Sequence, residues 1–451
     1  MARDGHAVTN KNSTPTMEIS ELYNLYAKHP VLTTDSRNCP EGSMFIALKG
    51  ASFDGNKFAA KALEQGCAWA VVDEPEYATD ARCIVVDDCL RTLQLLARHH
   101  RRLFDIPVVG ITGTNGKTTT KELVTAVLSE RYRVHATAGN FNNDIGVPKT
   151  LLGIDATHEI AVVEMGASHP GDIRTLVNIV EPTCGLITNV GRAHLQGFGS
   201  FEGVVRTKGE LYDYLRTQPD SVTFVNAANP HLMGIAGGLP HTVGYAQGDC
   251  GDAVAVRGEV IDCAPLLRFR WRDEAHDGPW HEVRTHLIGA YNTDNMLAAI
   301  TGGLHFGVSP EQICHALASY TPSNNRSQLT VTPHNHLIVD AYNANPTSMA
   351  AAIDNFRMMQ VSPKMAIIGE MRELGDVSDE EHRKVVERLM AAGLDNVWLV
   401  GDAFAAIECP FRKFADVEQV KAEISASRPE GLYILIKGSN GTRLFELPEM
   451  L

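Results

Sequence analysis

The sequence predicts an α/β protein made of several parallel-sheet domains in series. Three observations carry that expectation. Short strand-like apolar runs alternate with helical stretches along most of the chain. One such run ends in a glycine-rich turn, GITGTNGKTTT (110–120), of the kind that cradles phosphate. And 451 residues exceed what one hydrophobic core ordinarily holds.

The elements follow in order. The first hundred residues hold MFIALKG and AWAVVDE around a loop, ASFDGNKF, and read as a small α/β domain. VVGITG is a buried strand opening a second domain, and KTTTKELVTAVLSE has helical spacing directly after it. IAVVEMG (160–166), CGLITNV (184–190) and SVTFVN (221–226) are further strands, with FEGVVRTKGELYDYL a helix before the last. This alternation implies a mainly parallel sheet with helices on both faces. LLRFRWRDEAHDGPWHEVRTHLIG differs: two β-rich runs around an Asp-Gly-Pro turn predict a hairpin. Past TPSNNRSQ the rhythm restarts with LIVDAY, MAIIGEM, VWLVGD and YILIKGS. We expect domains over 17–103, 104–321 and 322–451.

Bulk composition excludes several functions. Hydrophobic residues make up 44% and charged residues 21%, ordinary for a protein that buries real cores. A net charge of -14 disfavours a nucleic-acid partner, while a locally positive pocket can still take a small anion. Nine scattered cysteines without a C-x-x-C pair argue against a disulfide frame or a cysteine zinc site and fit a reducing compartment. No apolar run reaches membrane-spanning length, and the polar opening MARDGHAVTNKNSTP is no secretory signal. We therefore expect a cytoplasmic protein without membrane insertion, with Met17 as the natural start and the first sixteen residues as an extension.

The glycine loop carries the chemistry. Gly113 and Gly116 let the backbone turn its N–H groups inward, with Thr114 and Asn115 between them, and the helix after Gly116 adds its positive end. Lys117 reaches phosphate, and Thr118, ahead of Thr119, is set to meet Mg²⁺. Ile111 replaces only the first glycine of the usual pattern. Mg²⁺ wants one or two carboxylates, and Glu164 at the end of AVVE is the natural acid. His194 follows a third strand on the same sheet edge, where doubly wound sheets bind ligands.

GITGTNGKTTTKE, GNFNNDIGVP, VVEMGASHPGDI, ITNVGRAHL, RTKGELY, GAYNTDNMLAA, DAYNANPTSM and GEMRELGDVSDEEHRKV, in that order, resemble the Mur ligase family across nearly the whole chain. TDSRNCPEGSMFIALKGASFDGNKF looks like that family's UDP-sugar domain. The resemblance implies three domains: the UDP-sugar domain, a central P-loop ATPase domain, and a Rossmann-like C-terminal domain for the incoming substrate. It implies ATP-dependent amide formation, in which a carboxylate is phosphorylated and an amine attacks the acyl phosphate. The GEMRELG and NANP segments point to the branch that adds D-Ala-D-Ala to UDP-N-acetylmuramoyl-tripeptide. A monomer is the expected state, independently of these segments.

By the same resemblance, Thr118 and Glu164 serve one of two Mg²⁺ ions, with His194 and a carbamylated Lys208 at the other. Asn292 and Asn295 lie by the adenine, where Tyr291 replaces a common His; Arg326 reaches ATP phosphate and Asp340 the ribose. Asn343 and Asn345 belong to the dipeptide loop. KGSNGTRLFE departs from the family ending at Asn440 and Thr442. Ser36, Arg37, Lys49, Asn142 and Asn143 are the nucleotide-sugar candidates, Arg37 either clamping pyrophosphate or closing a structural Asp-Arg turn. A folylpolyglutamate synthase would share the ATP site without SMFIALKGASFDG, and a GTPase would need a guanine motif that TKGE (207–210) matches poorly.

Overall fold

Strands Leu32–Thr33, Met44–Ile46, Trp69–Val72 and Cys83–Val85 form, in that order, a parallel sheet in the computed structural model, which describes residues 17–251, 254–322, 328–394 and 396–451. The sheet belongs to a compact unit whose described residues are 17–105, 144–155 and 178–180. Its core joins Phe45, Ile46 and Val71 of the strands to Leu22, Leu93 and Leu96 of helices Ile19–Tyr26 and Cys89–Arg101. The second helix starts where Asp88 accepts from the Arg91 N–H at 2.7 Å, a side-chain N-cap. A small hairpin pairs Lys49–Gly50 with Phe53–Asp54.

The second unit, 106–143 with 156–177 and 181–451, contains two sheets. The larger has nine strands, and its seven consecutive parallel ones include Val134–Ala136, Ile160–Glu164, Val108–Thr112, Cys184–Ile187 and Val222–Asn226, in spatial order. Val108–Thr112 and Ile160–Glu164 are buried at every position, as central parallel strands covered on both faces must be. The predicted hairpin is present: Leu266–Asp273 and His281–Ile288 pair antiparallel at the far edge. The six-stranded sheet runs Gln328–Val331, His336–Asp340, Tyr433–Lys437, Lys364–Gly369, Val397–Val400 and Arg412–Phe414, parallel except for the first.

One topological feature locates the site. Val108–Thr112 and its neighbour Cys184–Ile187 lead away from each other: the chain leaves the first for Val134–Ala136 on one side and the second for Val222–Asn226 on the other. A crevice opens beyond the carboxyl ends of strands at such a reversal. Helix Lys117–Ser129 begins there.

Candidate active site

Two glycines make the turn from strand to helix. Gly113 has φ +144°, and a β-carbon there would lie 2.0 Å from Thr188 Oγ1. Gly116 has φ +77°, and its β-carbon would meet Asn295 Oδ1 at 2.5 Å. Both positions are closed to side chains. Helix Lys117–Ser129 starts at once, so its first-turn N–H groups and positive dipole end join the loop. Lys117 Nζ donates to the carbonyls of Gly113 (2.9 Å) and Thr114 (3.0 Å). Thr119 is half-buried in the helix's first turn.

The loop is braced from two sides. Asn189 Oδ1 accepts from the Asn115 N–H at 3.0 Å, and its Nδ2 donates to the Asn115 carbonyl at 3.0 Å. Thr188 Oγ1 donates to the same carbonyl at 2.7 Å. The Gly191 N–H donates to Thr114 Oγ1 at 3.0 Å. Behind the loop, Thr120 Oγ1 donates to Asn295 Oδ1 (3.0 Å), Asn295 Nδ2 to Asn292 Oδ1 (2.8 Å), and Asn292 Nδ2 to the Ile288 carbonyl (2.8 Å). Asn292 and Asn295 are both buried in this network.

Glu164 ends its strand 1% exposed. Its Oε1 accepts from Thr118 Oγ1 at 3.2 Å and from Asn142 Nδ2 at 2.8 Å, whereas Oε2 is buried with no hydrogen-bond partner among the described residues. A buried carboxylate oxygen without a partner, beside a hydroxyl at a phosphate loop, is a donor set that suits Mg²⁺. Among the described residues no three His, Cys, Asp or Glu cluster as metal ligands.

His194 lies on the same edge with φ +50°, and its Nδ1 contacts the Glu373 carboxylate. Burial holds its imidazole below the ordinary range, opposed by Glu373 and reinforced by Lys117 and Lys208. Lys208, on helix Phe201–Arg216, is 2% exposed; its Nζ donates to the Ala167 carbonyl at 3.3 Å and lies 5.4 Å from the Phe198 ring centroid. Burial, and then Lys117, push its amine well below the usual lysine range, against Asp172 and Glu210. The structure thus brings Lys117, Thr118, Glu164, His194 and Lys208 to one strand edge.

The remaining candidates are spread more widely. Asp340 accepts from the buried Lys437 Nζ at 2.5 Å, and Asn343 Oδ1 accepts from the Ala344 N–H at 2.9 Å. Asn345 caps helix Pro346–Met358. Asn142 sits against Glu164, and Asn143 is exposed. In the other unit, Arg37 makes a two-pronged contact with Asp35 (2.9 and 2.8 Å), and Lys49 pairs with Asp73 and Glu74, each at 2.9 Å. Ser36 is half-buried in the same turn. Arg326 lies outside the described residues. Sequence reasoning missed Glu373, Thr188 and Asn189. The last two stand in the quoted ITNVGRAHL, but nothing local says that their side chains turn back onto the phosphate loop.

Three family models match the chain. The Mur ligase middle domain matches residues 111–302, the Mur ligase glutamate ligase domain 325–440, and the Mur ligase family catalytic domain 30–101. The UDP-N-acetylmuramoyl-tripeptide--D-alanyl-D-alanine ligase of Bacillus subtilis (strain 168) is 34% identical over 429 residues, covering 92% of each chain. A MurF crystal structure from Acinetobacter baumannii superposes with a TM-score of 0.83 at 32% identity, covering 93% of both chains. The MurF ligase from Thermotoga maritima in complex with ADP gives 0.83 at 27% identity, covering 93% of this chain and 96% of that one.

Proposed function

The chain belongs to the Mur ligase family, and on that premise we propose that it joins D-alanyl-D-alanine to UDP-N-acetylmuramoyl-tripeptide at the expense of ATP. The observation that carries the reading is the constellation at one sheet edge: a glycine-gated phosphate loop, a buried glutamate with an unsatisfied oxygen, and a buried lysine beside a histidine. Relatives named for this reaction, at moderate identity over most of the chain, support the choice of substrates.

The chemistry follows from the side chains. A carboxylate is a poor electrophile, so its phosphorylation by ATP must precede attack by the dipeptide amine. Lys117 and the loop N–H groups hold the phosphates and offset charge that grows on the transferring oxygens. Thr118 and Glu164 would hold one Mg²⁺, and His194 with a carbamylated Lys208 a second; bound there, the ions supply positive charge against the triphosphate. Glu164 keeps an oxygen free for this, and burial pushes the Lys208 amine towards the neutral form that carbamylation requires. Asn292, Asn295 and Arg326 are proposed for ATP, Asp340 for its ribose, and Ser36, Arg37, Lys49, Asn142 and Asn143 for the nucleotide-sugar. The domains are taken as 17–103, 104–321 and 322–451, in a cytoplasmic monomer; among the described residues no helix is long and apolar enough to cross a membrane.

The test is phosphate release from ATP in the presence of UDP-N-acetylmuramoyl-tripeptide, comparing D-Ala-D-Ala with single amino acids and ATP with GTP. Release that needs the dipeptide and ATP is expected. Equal release with glutamate would move the chain to another branch.

A further inference from the structure

Asn345 has two partners at once. As the N-cap of helix Pro346–Met358, its Oδ1 accepts from the Ser348 N–H at 2.9 Å while its own N–H donates to Ser348 Oγ at 3.1 Å. From the other end of the same amide, Nδ2 donates to Asn115 Oδ1 at 2.8 Å, with Asn115 Nδ2 3.5 Å from Asn345 Oδ1. The residue is 5% exposed. Asn115 stands in the middle of the phosphate loop, its backbone N–H and carbonyl already held by Asn189 and Thr188. Two residues on, in the first turn of the capped helix, Thr347 Oγ1 accepts from the Arg192 N–H at 3.0 Å.

The choice of residue is informative. Serine, aspartate and asparagine cap helices about equally well, so capping alone does not call for an amide. Ionised aspartate has no donor and serine has one short hydroxyl, whereas the amide accepts at Oδ1 and donates from a separate Nδ2, which the bond to Asn115 Oδ1 needs. Any displacement of the phosphate loop at Asn115 therefore reaches the first turn of the helix that follows the Asn343–Asn345 loop.

We propose that the Asn115–Asn345 amide pair is a clasp through which the occupied nucleotide loop sets the position of the dipeptide-binding region, and that Asn345 is a positioning residue rather than a contact of the dipeptide. The identity of the dipeptide rests on the function proposed above; the clasp itself rests on the geometry. Coupling of this kind is reciprocal, so the dipeptide tightens nucleotide binding by the factor the nucleotide tightens dipeptide binding.

The experiment uses the full chain with Asn345→Ser, which keeps a good cap but cannot reach Asn115, Asn115→Ala, and the double variant. Hydrogen exchange of residues 345–349 is read with and without ADP, and D-Ala-D-Ala binding with and without a non-hydrolysable ATP analogue. In the parent, ADP slows exchange in this turn. Each single variant loses that protection, and the double variant loses no more, as expected when both remove one interaction. The factor by which nucleotide tightens dipeptide binding should fall about five- to tenfold, the size of one ordinary hydrogen bond. Unchanged ADP protection in Asn345→Ser, or additive losses in the double variant, overturns the clasp. So does weaker dipeptide binding by nucleotide-free Asn345→Ser, which would make Asn345 a contact. If D-Ala-D-Ala does not bind the parent at all, the proposed function fails, while the exchange measurement with ADP still decides the clasp.

Discussion

Lys117 and Lys208 bring two amines to one strand edge, and their surroundings set them to opposite tasks. Lys117 donates to two loop carbonyls, which suits a cation that meets phosphate. A hydrogen bond to a charged group is worth roughly 1.5–3 kcal/mol even in a resting protein. That converts to a loss of roughly ten- to 160-fold, so Lys117→Ala should lower turnover by at least about tenfold while the melting temperature stays close to the parent's. Near-normal turnover in the folded variant would remove the phosphate-loop reading. Lys208 is buried, and burial drives its amine towards the neutral form. Its pKa is depressed in the folded state, so between that value and the ordinary lysine range the unfolded chain binds the extra proton. The resulting penalty is full at low pH and shrinks as pH rises. Stability of CO₂-depleted protein should rise with pH across that window, and Lys208→Met should flatten the slope in denaturant melts. Activity should fall at low pH and on CO₂ depletion, and Lys208→Ala should recover partly with small carboxylic acids. Full activity of Lys208→Ala in CO₂-free buffer would end the carbamate proposal.

Between strand Val108–Thr112 and helix Lys117–Ser129 the loop depends on backbone shape as much as on side chains. A methyl at Gly113 would press on Thr188 at φ +144°, where side chains are strained in any case. Gly113→Ala should cost about 1–3 kcal/mol and displace the loop, read as a lower melting temperature together with weaker ATP binding. Unchanged ATP affinity would mean that the loop shape is not what binds nucleotide. This element was legible in the sequence because it is local: an apolar run, two glycines at fixed spacing and a Lys-Thr pair. The Leu266–Asp273 and His281–Ile288 hairpin was legible for the same reason. The partners that complete the site were not. Glu373 meets His194 from a separate sheet region, and Asn189 grips Asn115 through a side chain whose direction only the folded strand edge fixes. From sequence Arg37 serves either a pyrophosphate clamp or a turn; the structure shows the Asp35 contact, and the alternatives differ only in what else arrives.

At the scale of the whole molecule, the phosphate loop stands on the nine-stranded sheet and Asp340 and Asn345 on the region of the six-stranded sheet, within one compact unit. Among the described residues, the polar contacts joining them include the Asn115–Asn345 pair, Thr347 on Arg192, Glu373 on His194, Arg192 with Glu381 at 3.4 Å, and the Ala290 N–H on Asn355 Oδ1 at 3.3 Å, while Ile288 packs into the core beside the six-stranded sheet. An acyl phosphate is open to hydrolysis, so productive transfer needs the two regions held together while it exists. We expect ATP with UDP-N-acetylmuramoyl-tripeptide to favour the joined arrangement, read as a smaller radius of gyration in solution scattering. Salt then distinguishes the forces involved. Arg192 is about half exposed, so its ion pair with Glu381 contributes less than about 1 kcal/mol. At about 1 M salt, where charges are screened beyond about 3 Å, that pair is lost, but the hydrogen bonds of Asn345 and Thr347 are not. Compaction with saturating ligands should therefore survive high salt, whereas Asn345→Ser should diminish it. Compaction that vanishes in salt yet persists in Asn345→Ser would assign the joining force to charge rather than to the amide pair.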